Sequence, residues 1–376
     1  MRIIWFTENY PPNKGGMSRS CDRIVSNLRQ HYTVDVFHFT NKFPAFKTES
    51  HENGSYTSVP IFEDSSYTLN MLWAFIKDHS VIKVSTVFTA FGSHLCLKGI
   101  TLMANWLQKP VLICFRGNDF DNAIFSQKKQ DLLYTISNAT AIACVSSEKE
   151  ERIKRMKLNN NVYFTPNSID FEQWNVLNSD RTLASQIKSG LQLTKNTKII
   201  GLIGFLKSKK GIDFFMETLK KSQLLKTVHL RIVGEIEPHI EAQFIASNWS
   251  YSKIQPTSKT ELMANYLLCD AVAIPSIYDG MPNVIFEAAA LNIPVIASKA
   301  GGIPDILNHD NAFLFDVLSE NKLLQALADF DNSTKTILQE KSNNLKQTIK
   351  LAFTTQQEIK NYIDIFNTIT TTNYEI

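Results

Sequence analysis

Cysteine is scarce and scattered. The five residues, at 21, 96, 114, 144 and 269, are odd in number and form no C-x-x-C pair. That argues against a disulfide scaffold or a zinc ribbon and points to a reducing compartment. No run of 18 apolar residues occurs, so no spanning helix is expected. The apolar run Ile3-Ile4-Trp5-Phe6 is too short for a signal-peptide core, and Glu8 follows it. The expected location is cytoplasmic, with peripheral association at the inner face of a membrane left open. Charge of one sign is not in excess: 39 basic against 36 acidic residues give a formal charge of +3. A dedicated nucleic-acid binder needs a larger cationic surplus. Short repeats and low-complexity tracts are also missing. So are the G-x-G-x-x-G dinucleotide fingerprint after the first strand, the G-x-x-x-x-G-K-[ST] phosphate loop, and a D-x-D placed to hold a catalytic metal.

What is present is alternation. With 376 residues, 44% of them hydrophobic, the chain is long enough for two domains with real cores. In the first half, strands are expected at 2–7, 33–39, 84–88, 111–115, 141–145 and 162–165. Helices are expected between them at 17–30, 68–79, 93–107, 127–137 and 147–156. A polar stretch at about 172–196 reads as a linker. Alternation then restarts, with strands at 199–204, 228–233, 271–274 and 294–297. Helices are expected at 211–222, 237–247, 259–267 and 283–290, and a last one at about 355–370. Strand–helix alternation of this kind predicts α/β architecture with doubly wound parallel sheets, in two successive blocks.

The most informative segment follows the strand at 271–274. It reads Pro275-Ser276-Ile277-Tyr278-Asp279-Gly280-Met281-Pro282-Asn283-Val284-Ile285-Phe286-Glu287-Ala288. Gly280 and Pro282 make a loop that opens a helix near Asn283. The first turn of a helix has amide groups without intrahelical partners, and these accept an anion well. A phosphate can therefore dock at Met281–Val284. Glu287, about one turn into the helix, offers a carboxylate acceptor for a vicinal diol such as a ribose. A helix cap with a solvated glutamate is the plainer alternative.

This segment resembles the carboxylate motif of glycosyltransferase family 4, E-G-x-P-x-x-x-x-E-A, through Asp279, Gly280, Pro282, Glu287 and Ala288. Asp279 departs from the usual glutamate. The run Ala289–Ala297 and the turn Gly301-Gly302-Ile303-Pro304-Asp305 resemble the strand and Gly-Gly turn that follow in that family. The resemblance gives Asp279 the donor-sugar hydroxyls and Glu287 the ribose.

Other blocks follow in the family's order. Gly204-Phe205-Leu206-Lys207-Ser208-Lys209-Lys210-Gly211, between a strand and a helix, suits a diphosphate: glycine allows close approach and lysine neutralises charge. The family's G-R-x-x-x-x-K-G has its lysine at Lys210, and its arginine falls on Phe205. Lys207 or Lys209 then stands to make up the lost cation, and Lys207 is carried as the donor-binding residue. Gly234 matches half of a V-G-x-G turn that approaches the nucleotide, a plain turn being the alternative. Gly15 and Gly16 match a Gly-Gly pair that lies against the donor phosphate or the acceptor. Arg116-Gly117-Asn118-Asp119 resembles an R-G-x-D branch of the family. Arg116 there faces the donor or stabilises the leaving group, and Asp119 holds it or contacts the sugar. A structural Arg–Asp pair is the alternative. Val145-Ser146-Ser147 and Pro166-Asn167-Ser168-Ile169-Asp170 resemble further family turns. His94 is expected as a cap or core residue.

The resemblance implies the GT-B fold: two facing Rossmann-like domains, an acceptor-side one at 1–175 with the last helix (355–376) returning to it, and a nucleotide-sugar-binding one at 190–354. It implies retaining transfer of a sugar from a nucleotide diphosphate sugar to a glycan or lipid-linked acceptor, as in cell-envelope or exopolysaccharide synthesis, without a metal or other cofactor. Arg116, Asp119, Lys210 and Asp279 are the expected catalytic residues. Gly15, Gly16, Gly204, Lys207, Gly234, Gly280, Met281, Pro282, Asn283, Val284 and Glu287 are the expected donor-binding set. The rivals are a nucleotide-sugar epimerase of the same fold and a non-catalytic carbohydrate- or partner-binding descendant. A Rossmann oxidoreductase is more distant, since it lacks its fingerprint.

Overall fold

The computed structural model describes residues 1–371 apart from 14, 94, 223, 225, 226 and 248. The chain divides into two compact units, Met1–Asn167 with Gln356–Ile376, and Ser168–Thr355.

The first unit is built on β1 (Arg2–Thr7), β2 (Thr33–Thr40), β3 (Lys47–His51), β4 (Gly54–Pro60), β5 (Val87–Phe91), β6 (Val111–Phe115), β7 (Ala141–Cys144) and β8 (Val162–Phe164). Their order across the sheet is β3-β4-β2-β1-β5-β6-β7-β8. The pairings are parallel apart from the antiparallel β3–β4 hairpin. Alternate residues of a strand leave on opposite faces. Ile4 and Phe6 accordingly enter one core, and Ile3 and Trp5 the other. Strands apolar on both faces are what a parallel sheet covered by helices on each side requires. The helix Thr355–Thr371 presents Ile359, Tyr362, Ile365, Phe366 and Ile369 along one stripe, and these complete the second core.

The second unit carries β9 (Lys198–Ile203), β10 (Val228–Val233), β11 (Tyr251–Ile254), β12 (Ala271–Ile274), β13 (Val295–Ser298) and β14 (Phe313–Phe315). The order β11-β10-β9-β12-β13-β14 is parallel throughout. This is the doubly wound Rossmann arrangement, and its strand order reverses between β9 and β12. The expected α/β class with doubly wound parallel sheets is thus present in both units.

Several local expectations need correction. The stretch read as a linker, 172–196, contains the helix Asn178–Gly190. Its Leu183, Ala184 and Ile187 recur at helical spacing and pack with Ile199, Ala264 and Leu268. The strand expected at 84–88 lies at Val87–Phe91. The hairpin β3–β4 was not expected, because its residues are mostly polar and β3 is exposed throughout, as suits a sheet edge. The helix expected over 93–107 is a π-turn at Cys96–Ile100 that runs into Thr101–Trp106, and residue 94 lies outside the described residues. β14 and the helices Glu320–Asn332 and Lys335–Ala352 fill a region where no element was anticipated. No helix among the described residues is long and apolar enough to cross a membrane.

One buried ion pair fixes the last helix. Arg23, on the helix Gly16–Leu28, places Nε and Nη2 each 2.9 Å from the Glu358 carboxylate, and Arg116 Nη2 lies 3.7 Å from it. Removing one partner of a buried pair leaves uncompensated charge. Glu358→Ala is therefore expected to destabilise the first unit by about 3–5 kcal/mol, read as a lower urea midpoint. Glu358→Gln, which keeps an acceptor, should cost less.

Candidate active site

The loops that leave β9, β12 and β13 meet beside the point where strand order reverses, the usual ligand position in an open α/β sheet. Ile277 N donates to Lys209 O at 2.8 Å, joining the β12 loop to the β9 loop. Gly302 N donates to Gly280 O at 2.7 Å, joining the β13 loop to the β12 loop. Glycine is required at two of these contacts. At Gly211, φ is +65° and a Cβ would stand 2.1 Å from Pro275 O. At Gly301, φ is +53° and a Cβ would stand 1.8 Å from Asp279 O. No other residue permits both the left-handed backbone and the approach.

Asp279 lies at the centre and is 9% exposed. Lys210 Nζ hydrogen-bonds Asp279 Oδ2, and Lys209 Nζ lies 3.9 Å from Oδ1. Gly280 N donates to Oδ1 at 2.9 Å, and Ser276 Oγ donates to Oδ2 at 3.3 Å. Burial pushes the Asp279 carboxyl up, but Lys210 and then Lys209 outweigh it and hold the group down at about 2. Two ammoniums around one carboxylate leave a formal +1, so the cluster favours an anionic ligand. Lys207, the expected second cation, instead sets its ammonium 4.2 Å from the Phe205 ring centroid. Lys209 is the second cation at Asp279, and the turn Ser208–Lys210 is what brings it there.

The helix Asn283–Ala290 begins where expected. Pro282 is its N-cap, with no side-chain cap bond and no acidic residue in the first turn. Met281, Pro282 and Gly280 are buried, and Asn283 and Val284 are half-buried. Glu287 is buried, and the Tyr266 hydroxyl donates to its Oε2. Tyr266 was not singled out from the sequence, and nothing in its spacing marks it. Gly204 follows β9, and Gly234 follows β10 with its N–H donating to Ile254 O at 2.8 Å.

In the first unit, Gly15 is the N-cap of the helix Gly16–Leu28, and both glycines are exposed. Arg116 is buried, and its bonds run inward. Nη1 donates to Thr165 O at 2.8 Å and Tyr362 Oη at 3.3 Å, and Nη2 donates to Asn167 Oδ1. The Phe91 ring centroid lies 5.4 Å from the guanidinium carbon. Asp119 does not pair with the Arg116 side chain. It accepts from the backbone amides of Arg116 at 2.8 Å, Gly117 at 3.1 Å and Phe120 at 3.0 Å, the position of a loop and helix cap. Burial raises its carboxyl, with these amides and Lys149 opposing. Among the described residues, no three His, Cys, Asp or Glu side chains are grouped to hold a metal ion.

Residues 197–330 match the family model described as Glycosyl transferases group 1. The chain is 28% identical over 105 residues to the MMP alpha-(1->4)-mannosyltransferase of Mycolicibacterium hassiacum, covering 27% of this chain and 26% of that protein. It thus spans about a quarter of that relative. It is 20% identical over 337 residues to the uncharacterized glycosyltransferase MJ1178 of Methanocaldococcus jannaschii, covering 86% of this chain and 87% of that one. Anabaena Alr3699/HepE, solved in complex with UDP, aligns with a TM-score of 0.76 at 14% identity, over 98% of this chain and 100% of that one. The fold is the GT-B fold of these structural neighbours.

The depressed Asp279 carboxyl has a consequence for stability. A carboxylate lowered from 3.8 to about 2 contributes roughly 2 kcal/mol at neutral pH. That contribution is full above the ordinary carboxylate range and is lost as pH falls toward 2. Asp279→Asn should therefore be less stable than wild type at pH 7, and the gap should close between pH 4 and pH 2 in denaturant titrations.

Proposed function

We propose, from the match of residues 197–330 to the family model Glycosyl transferases group 1, that this chain is a glycosyltransferase that moves a sugar from a nucleoside diphosphate sugar to a glycan or lipid-linked acceptor. The transfer retains the anomeric configuration and uses no metal. The acceptors belong to cell-envelope or exopolysaccharide synthesis. The observation that carries the reading is the Lys209–Asp279–Lys210 cluster beside the first turn of the helix Asn283–Ala290, which contains no acidic residue. The UDP bound by Alr3699/HepE supports a nucleoside diphosphate as the donor's leaving part.

In this scheme the bond between the anomeric carbon and the diphosphate oxygen breaks. The acceptor hydroxyl forms the new bond on the same face, and its proton leaves with the diphosphate. Lys210, Lys209 and the amides of Met281–Val284 stabilise charge as it builds on that leaving group. Preorganised donors aimed at developing charge are a large catalytic term. Asp279 orders the two lysines and accepts hydrogen bonds from donor-sugar hydroxyls. Glu287, with its rotamer fixed by Tyr266, accepts from the ribose hydroxyls. Gly204, Gly234 and Gly280 let the backbone approach the nucleotide. The Gly15–Gly16 turn meets substrate in the first unit. Arg116 and Asp119 shape the loop after β6, Arg116 through its bonds to Thr165 and Asn167.

Purified protein incubated with radiolabelled UDP- and GDP-sugars should release the nucleoside diphosphate equally with and without chelator. Strict dependence on added metal would contradict the scheme. Lys210→Met should lower kcat/KM by a factor of about 100–1,000. Glu287→Ala should lose nucleoside diphosphate affinity by calorimetry, and unchanged affinity would remove the ribose assignment.

A further inference from the structure

The second unit contains a buried arginine that the scheme above leaves unused. Arg231, on β10, is 6% exposed, and its bonds run to neutral groups. Nε donates to Asn265 Oδ1 at 2.9 Å, and Nη1 donates to Ser252 Oγ at 2.7 Å. Burying a guanidinium costs free energy, and neutral partners offset that less than a carboxylate would. What the arginine supplies is geometry. It ties β11, through Ser252, and the helix Lys259–Leu267, through Asn265, to β10.

The Asn265 amide has a definite orientation. A guanidinium only donates, so the corner facing Arg231 is Oδ1. Nδ2 donates to Glu261 O at 2.8 Å, a carbonyl that only accepts. Both contacts agree, and Asn265 links the guanidinium to the backbone of its own helix. The next residue is Tyr266, whose hydroxyl donates to Glu287 Oε2. Successive helix side chains leave about 100° apart. Asn265 thus faces the sheet while Tyr266 faces the helix Asn283–Ala290. Met263, Ala264, Asn265 and Tyr266 are all buried, so this turn is enclosed on every side. The Trp174 ring meets Tyr266 edge-on, with centroids 6.2 Å apart. A rotation of the helix that freed Asn265 from Arg231 would carry the Tyr266 hydroxyl with it.

We propose that Arg231 is a positioning residue for the ribose grip. It sets the rotation of the helix Lys259–Leu267, and with it the place where Tyr266 holds the Glu287 carboxylate. This rests on the reading that Glu287 accepts from the ribose hydroxyls. The effect should spare the diphosphate grip, because Lys209, Lys210 and Asp279 are joined by bonds that involve neither Arg231 nor Tyr266.

The test uses the full chain and calorimetry. Wild type should bind UDP at least about tenfold tighter than 2′,3′-dideoxyuridine diphosphate, which offers Glu287 no hydroxyls. Arg231→Met keeps the length of the side chain and loses every donor. In that variant UDP should bind about tenfold more weakly, with affinities for the dideoxy nucleotide and for inorganic pyrophosphate unchanged. Equal losses for all three ligands, or no loss for UDP, would overturn the proposal. Tyr266→Phe should show the same pattern, and the double variant should be no weaker than either single one. Losses that multiply would mean that Arg231 does not act through Tyr266. Should Arg231→Met not fold, Arg231→Lys keeps the charge, loses the fork and must weaken UDP binding in the same selective way. The link is also readable without ligand. The ring signals of carbon-13-labelled Tyr266, assigned by their loss in Tyr266→Phe, should shift in whichever Arg231 variant folds, and unmoved signals would refute the link. Wild-type protein that binds neither UDP nor pyrophosphate would contradict the donor-site reading, and the tyrosine signals would still decide the role of Arg231.

Discussion

Two lysine ammoniums sharing one buried carboxylate is the constraint on which the second unit's site depends. Asp279 would resist ionisation at its depth in the fold, and the adjacent cations reverse that preference. The same carboxylate takes the Gly280 amide and the Ser276 hydroxyl, and its own carbonyl is pressed against Gly301. One residue therefore fixes the loop after β12, the direction of two cations from the loop after β9, and the approach of the turn after β13. A site meant to stabilise charge during a reaction works best when its dipoles need no rearrangement.

The two units reach order by different means. In the second, backbone contacts at glycines bring loops together, and the charged side chains remain partly accessible. In the first, the loops are held by side chains turned inward: Arg116 toward Thr165 and Asn167, Asp119 toward three amides, Asn13 toward His38. Under the proposed function, that difference suits a unit that grips a diphosphate and a unit that presents a shaped surface.

Much of this was legible in the residues. The run from 271 to 297 has unbroken apolar strands, Gly280 and Pro282 at the turn, and a helix whose start Pro282 marks, so β12, its loop and the helix at 283–290 are found where expected. Lys210 and Asp279 could be chosen by type and position, though their pairing could not. Lys209 was harder. The turn at Ser208–Lys210 sets the phase of successive side chains, and a string of lysines does not reveal which one faces the carboxylate. The inward bonds of Arg116 and Asp119 depend on partners far along the chain, Tyr362 among them, which spacing cannot supply. The polar hairpin β3–β4 lacked the apolar alternation that marks a strand. His38 sits in a strand that mixes apolar and polar residues, and only the fold brings Tyr56 and Asn13 to its ring.

The helix Thr355–Thr371 has a consequence for how the protein is made. The second unit is one uninterrupted stretch, Ser168–Thr355, whereas the first is assembled from the segments on either side of it. Ile359, Tyr362, Ile365, Phe366 and Ile369 follow the whole of the second unit in the sequence, and one core of the first unit stays open until they have been made. Domains usually mature in the order of their synthesis. Here the unit begun first is the one finished last, and the nascent chain must carry exposed apolar surface past the completion of its neighbour.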